Sequence, residues 1–235
     1  MKRTAIFLIF ISFLAARMAA AQDWKNEKYL DAVVLGWKVK INTKLVSGDT
    51  SILERSLEIF NKELYDISNI LPPKALVELK NVVFWFETET IDRGRAAEFL
   101  NSGSRLASHG LNPAKGGGIE IVPSRYIAAK VTLENWVVLH ELAHAYHSMV
   151  LSYDNSEIIG AYKASQASGL YIRVRTAMNF HRRGYASTNY REYFAELSTM
   201  YFGHINYYPF DRADLLQYDK KGYDLVEKMW RVNEK

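Results

Sequence analysis

Two histidines of this 235-residue chain, His140 and His144, stand four apart with an acid between them. The stretch reads His140-Glu141-Leu142-Ala143-His144 and lies in a segment, Thr132 to Val150, that has no Gly or Pro. Trp136, Leu139, Ala143 and Val150 recur there at helical spacing, so the segment is predicted as a helix. Residues four apart on a helix share a face, and two imidazoles placed that way can hold one cation. Glu141 projects at a neighbouring angle, from which its carboxylate reaches a water on that cation without being a ligand. This H-E-x-x-H pattern suits hydrolysis by a zinc-activated water, with two His on the metal and Glu as general base.

A hydrolytic zinc takes three protein ligands and keeps a position open. Candidates for the third are His147, His181, His204, Glu157, Glu192 and Glu196. The longer H-E-x-x-H-x-x-G-x-x-H pattern is ruled out, because His147 and Val150 stand where it needs Gly and His. His147, a turn beyond His144, reads as a packed or solvated helix residue. Glu192 and Glu196 are four apart on a predicted helix, Tyr190 to Phe202, that Gly203 stops. Their face borders Tyr193, Phe194, Leu197 and Met200, so at least one carboxylate is expected to point inward. A metal is a good partner for a buried carboxylate.

H-E-L-A-H followed some fifty residues later by Tyr185, six residues, and Glu192-Tyr193-Phe194-Ala195-Glu196 resembles the peptidase domain of anthrax lethal factor and its relatives, including the Pro-Pro endopeptidases. These are zinc metallopeptidases of the gluzincin type. The resemblance implies a zincin-like fold, one zinc per chain, and a peptide or protein substrate. It puts the third zinc ligand on Glu192 and an oxyanion-stabilising role on Tyr185. Glu196 then falls outside the metal's immediate ligands and orients a ligand His. Gly116 to Ile121 is similar in placement to the edge strand that holds extended substrate in that family, which makes Gly117, Gly118 and Ile119 the expected substrate contacts. The motif-specific likeness covers residues 140 to 196. The toxin's large accessory domains have no counterpart, so toxin activity is not implied.

The rest of the chain must position these groups. Residues 1 to 21 read as an export signal, with Lys2 and Arg3, an apolar run Ala5 to Ala16, and a small-residue site at Ala19-Ala20-Ala21. The expected location is therefore secreted or periplasmic, with no stable membrane insertion after cleavage. The signal holds three of the 30 basic side chains and none of the 26 acidic ones, which leaves residues 22 to 235 near neutrality. The basic isoelectric point thus gives no argument for a nucleic-acid partner. No cysteine is present, so neither disulfides nor a thiol nucleophile enters.

Residues 22 to 235 read as a single domain. Trp24 to Asp31 is a short lead of helical character. Trp37 to Asn42 alternates as a half-buried strand. Ser51 and Glu54 fit a capping box for an amphipathic helix that ends before Leu71-Pro72-Pro73. Val82 to Phe86 reads as a buried strand, Asp92 to Asn101 as a short helix, Ser102 to Gly118 as loop, and Ile119 to Val122 as a strand that Pro123 stops. Glu157 to about Arg175 reads as helix, His181 to Asn189 as loop, and Ala213 to Arg231 as two helical pieces broken near Gly222. Strands with an early helix, then helices, predict an α+β fold: a small mixed sheet beside the motif helix and a mostly helical C-terminal half. The expected activity is zinc-dependent peptide hydrolysis. The alternative is a weakly active or inactive zinc-site protein serving as a binding module at the cell surface or in the periplasm.

Overall fold

The computed structural model describes residues 27–90, 94–109, 111–131 and 136–232. The expected export signal and Trp24 lie outside them. The chain opens with a hairpin, β1 (Tyr29–Val34) and β2 (Trp37–Asn42). Its two-residue turn, Leu35-Gly36, has positive φ at both positions, the geometry that matches strand twist in tight hairpins. The lead expected to be helical is therefore strand from Tyr29 onward, because residues 29–34 pair with β2 along their whole length.

Helix α1 (Ser51–Ile70) follows, then α2 (Pro73–Leu79), which starts on its proline. The α1 N-cap position falls on Thr50, not Ser51, and its hydroxyl bonds Glu54 at 2.6 Å. Next come β3 (Val83–Phe86), β4 (Ala97–Leu100), α3 (Gly103–Ser108), β5 (Gly118–Ile121) and α4 (Pro123–Val131). The sheet order is β1-β2-β3-β5-β4, with β2, β3 and β5 parallel and the two outer strands antiparallel to their neighbours.

Two expectations fail here for one reason. Ala97 to Leu100, expected in a helix, is the edge strand β4, because pairing with β5 overrides the helical propensity of Ala, Glu and Leu. Strand β5, expected at the edge, is enclosed between β3 and β4. Gly118 and Ile119 are buried there, and a Cβ on Gly118 would meet Val83 O at 2.8 Å. Gly117, Gly118 and Ile119 therefore have no free strand edge to offer a substrate; that edge belongs to β4.

In register, one sheet face carries Val39, Phe84, Ile119 and Phe99, then Ile41, Phe86, Ile121 and Ala97. Helix α1 seals it: Phe60 meets Phe84 and Phe86 edge-on, with ring centroids 4.9 and 5.2 Å apart. Burying each such ring contributes about 2–3 kcal/mol.

The motif helix α5 (Val137–Tyr146) packs against β4, α1 and α2. Its N-cap, Trp136, caps nothing with its side chain. The buried Glu63 of α1 takes over, accepting the Val138 N–H at 2.9 Å. Lys130 and the Tyr126 hydroxyl also bind that carboxylate. Residues 132–135 of the predicted helix lie outside the described residues. Beyond Tyr146 the helix widens to π geometry over His147–Leu151.

Helix α6 (Ser156–Ala167) stops at its C-cap Ser168, short of the expected Arg175, which belongs to a small hairpin of β6 (Val174–Arg175) and β7 (His181–Arg182). Helix α7 (Tyr190–Phe202) has the expected bounds. Helices α8 (Arg212–Tyr218) and α9 (Lys220–Met229) divide at Asp219 rather than Gly222. Asp219 is buried and accepts both tyrosine hydroxyls, Tyr171 at 3.1 Å and Tyr193 at 2.7 Å, and the Gly222 N–H at 2.9 Å. Trp230 stacks on Tyr146 with ring centroids 4.1 Å apart and donates to Ser198 Oγ, which ties the C-terminus to α5 and α7. The architecture is α+β, and no helix of the described residues is long and apolar enough to cross a membrane.

Candidate metal centre

Helices α5 and α7 pack side by side and bring three side chains together. Nε2 of His140 lies 3.1 Å from Nε2 of His144. Both nitrogens point at one oxygen, Oε2 of Glu192, at 3.2 and 3.1 Å. Glu192 is placed by its helix start: the N-cap Asn189 accepts the N–H groups of Arg191 and Glu192 at 2.9 and 3.0 Å.

The triangle has the donor set and the spacing of a three-ligand metal site. Nδ1 of His140 faces Oε1 of Glu196 at 2.9 Å, so in the neutral ring the proton sits there and Nε2 carries a lone pair. That lone pair faces a carboxylate oxygen, and two acceptors so close need a positive charge between them, either a metal ion or a proton. A tetrahedral ion with bonds of about 2.0–2.1 Å holds its ligand atoms about 3.3 Å apart, close to the three edges seen. With no cation, a proton serves instead. Burial disfavours charge on His140, but the hydrogen-bonded Glu192 and Glu196, with Glu141 nearby, raise its pKa well above the ordinary value. Burial likewise works against the Glu192 carboxylate, and the two imidazoles outweigh it, holding its pKa far below the usual range.

The buried Glu141 carboxylate accepts the backbone N–H of Phe99 at 2.8 Å, so the edge strand β4 and the expected general base touch directly. Tyr185 sits on a 3₁₀ turn, Tyr185–Ser187, with its ring stacked against His140 at 6.1 Å. Arg95 donates to its hydroxyl at 3.4 Å. Burial and the Glu192 charge raise the phenol pKa. Glu196 does not join the triangle: Oε1 binds His140 and Oε2 accepts the Tyr207 hydroxyl at 2.6 Å.

The remaining candidates stand apart. His147 is fully buried against Tyr153 and Phe194, and neither ring nitrogen has a partner among the described residues. His181 is exposed on β7. His204 accepts the Trp136 indole N–H at 3.0 Å. Glu157 pairs with Lys228 at the surface.

Tyr207, Tyr153 and Phe99 are absent from any reading by motif. The link from Tyr207 to Glu196 spans eleven residues across a helix end, and nothing local announces it. No protein-family model matches the chain, and comparison with curated proteins and with solved structures gives no match.

Proposed function

We propose that this chain is an exported zinc-dependent peptidase of the gluzincin type, similar in its site to the lethal factor and Pro-Pro endopeptidase group. The observation that carries the reading is the triangle of His140 Nε2, His144 Nε2 and Glu192 Oε2, with sides of 3.1–3.2 Å and a buried carboxylate, Glu141, one residue along the same helix. Three ligands with Glu196 engaged elsewhere leave a position for water, which favours a catalytic site over a closed structural one. Zinc held there supplies an acidified water and a polarised carbonyl.

The chain's own groups do the rest. Glu141 takes a proton from the attacking water and returns it to the leaving amine. Tyr185 donates its hydroxyl proton to the developing oxyanion, and Arg95 beside it keeps that hydroxyl oriented. The outer edge of β4, apart from the Phe99 N–H that Glu141 already accepts, offers backbone groups to an extended peptide, which gives affinity with little side-chain selectivity.

The test is metal content and peptide cleavage by the purified protein, beside Glu141→Gln and Glu192→Ala. The expected result is one zinc per chain in wild type and in Glu141→Gln, loss of zinc in Glu192→Ala, and cleavage only by wild type. Cleavage by Glu141→Gln at the wild-type rate would overturn the mechanism. Metal binding indifferent to Glu192 would overturn the ligand set.

A further inference from the structure

Two cavities flank the triad. One of about 380 Å³ lies on the His140 side and is lined in part by Arg182, Tyr185 and Asn206. The other, about 400 Å³, lies on the His144 side and is lined in part by Arg105, Tyr153 and Arg191. Arg95 and Glu141 border both.

The arginines of these walls differ from several others in the fold. Arg55, Arg125, Arg212 and Arg231 each pair with a glutamate. Arg105, Arg182 and Arg191 have no carboxylate partner among the described residues; Arg182 bonds the Asn206 amide, and Arg191 meets only tyrosines. Residues 158–191 contain no acidic side chain at all, while they hold Lys163, Arg173, Arg175, Arg182, Arg183 and Arg191. The carboxylates on the His144 side are already engaged. Glu192 faces the two imidazoles, Glu141 accepts from Phe99, and Glu98 has its own partner.

Arg191 is the most telling. It stands in the first turn of α7, where the helix dipole disfavours a cation. Its guanidinium lies 4.2 Å from the centroid of the Tyr153 ring, and its Nε donates to the Tyr190 hydroxyl at 3.3 Å. The side chain is therefore held in place before any ligand arrives, so little rotamer entropy is left to lose on binding. A residue that breaks a local stability rule and is fixed in a cavity beside the triad is where a ligand contact is expected.

We infer that the cavity on the His144 side takes an acidic side chain of the bound peptide, with Arg191 as the specificity-determining residue and Arg105 reinforcing it. The substrate class is then peptides with Asp or Glu beside the scissile bond. This rests on the peptidase reading for its setting, but the anion site itself can be tested by binding alone.

The probe is a pair of fluorescein-labelled Ala/Gly peptides, alike except for two central Glu in one and two central Lys in the other. They are titrated into zinc-loaded Glu141→Gln protein near physiological salt. The Glu peptide should bind roughly tenfold or more tightly, as expected for a charge-assisted hydrogen bond. Arg191→Gln should erase most of that preference, and Arg105→Gln, at an exposed position whose loss leaves the fold intact, should weaken it severalfold. Lys44→Gln, an exposed charge remote from the cavity in sequence, should leave it unchanged. Equal affinities, a preference for Lys, no binding of either peptide, or a preference that survives both Arg191→Gln and Arg105→Gln would overturn the inference. If the preference stands while wild type cleaves no peptide, the peptidase reading falls and the anion site remains.

Discussion

Glu196 reaches back from α7 to His140, its Oε1 2.9 Å from Nδ1, while its Oε2 accepts the Tyr207 hydroxyl at 2.6 Å. The same hydroxyl accepts the Ala186 N–H at 3.1 Å, so one relay joins the His140 imidazole to the turn that carries Tyr185. A carboxylate on the far nitrogen fixes the tautomer of a ligand His and raises its basicity. Tyr207 in turn fixes the carboxylate.

Removing one hydroxyl from this relay should therefore weaken metal binding. Tyr207→Phe leaves Glu196 Oε2 and the Ala186 N–H without that partner in a buried place. Zinc affinity, measured by competition with a chelator, should fall roughly tenfold. The folded state should lose about 1–3 kcal/mol. Unchanged zinc affinity would show that Glu196 holds His140 unaided.

His147 makes stability depend on pH. Burial, with the His144 and Arg191 charges adding to it, holds its pKa down to about 3, against an ordinary value near 6.5. Between those values the unfolded chain binds a proton that the folded chain refuses, so stability falls as pH falls through that window. The loss is about 2 kcal/mol by pH 5. His147→Phe keeps a ring among Tyr153 and Phe194 and removes the proton site. Urea midpoints at pH 7 and pH 5, with metal chelated in both proteins, should differ less in the variant than in wild type.

Glu63 should be the costliest residue to lose outside the site. It accepts the Val138 N–H at the start of α5 and the Tyr126 hydroxyl, and it faces Lys130 across a buried contact. Burial pushes its pKa up, and Lys130 leads the contacts that oppose the shift. Glu63→Ala should destabilise by about 3–5 kcal/mol, read by calorimetry, because groups buried around one charge lose it together. Hydrogen exchange at the first turn of α5 should quicken more than that of α9.

Some of this was legible in the sequence because the signals are local. Helix α7 has an Asn cap before Tyr190 and Gly203 after Phe202, and both bounds hold. The two spacings of four pair His140 with His144 and offer Glu192 and Glu196 as alternatives, and it is the resemblance to the lethal factor group that puts the third ligand on Glu192. Strand β4 was not legible. Ala97-Glu98-Phe99-Leu100 is four residues long with helical leanings, and only pairing with β5 makes it a strand. The resemblance puts the substrate contacts on Gly117, Gly118 and Ile119 as an edge strand, and β4 covers that edge. The contact between Phe99 and Glu141 was hidden for the same reason, since it joins residues 42 apart through tertiary packing.

Tyr185 separates binding from chemistry. Its ring lies against His140, and its hydroxyl, held by Arg95, is 36 % exposed as a residue and so open to the cleft. Burial, with the Glu192 charge adding to it, keeps the phenol protonated, which is the form that donates to an oxyanion. Tyr185→Phe removes the donor and keeps the ring, so zinc content and peptide affinity should stay at wild-type levels. The turnover number should fall about 10²–10³-fold, the usual effect of deleting one oxyanion donor. A matched fall in kcat and kcat/KM at constant KM would mark an interaction made only in the transition state. A rise in KM at unchanged kcat would instead assign Tyr185 to substrate binding, and the oxyanion would then rest on Arg95 and the metal.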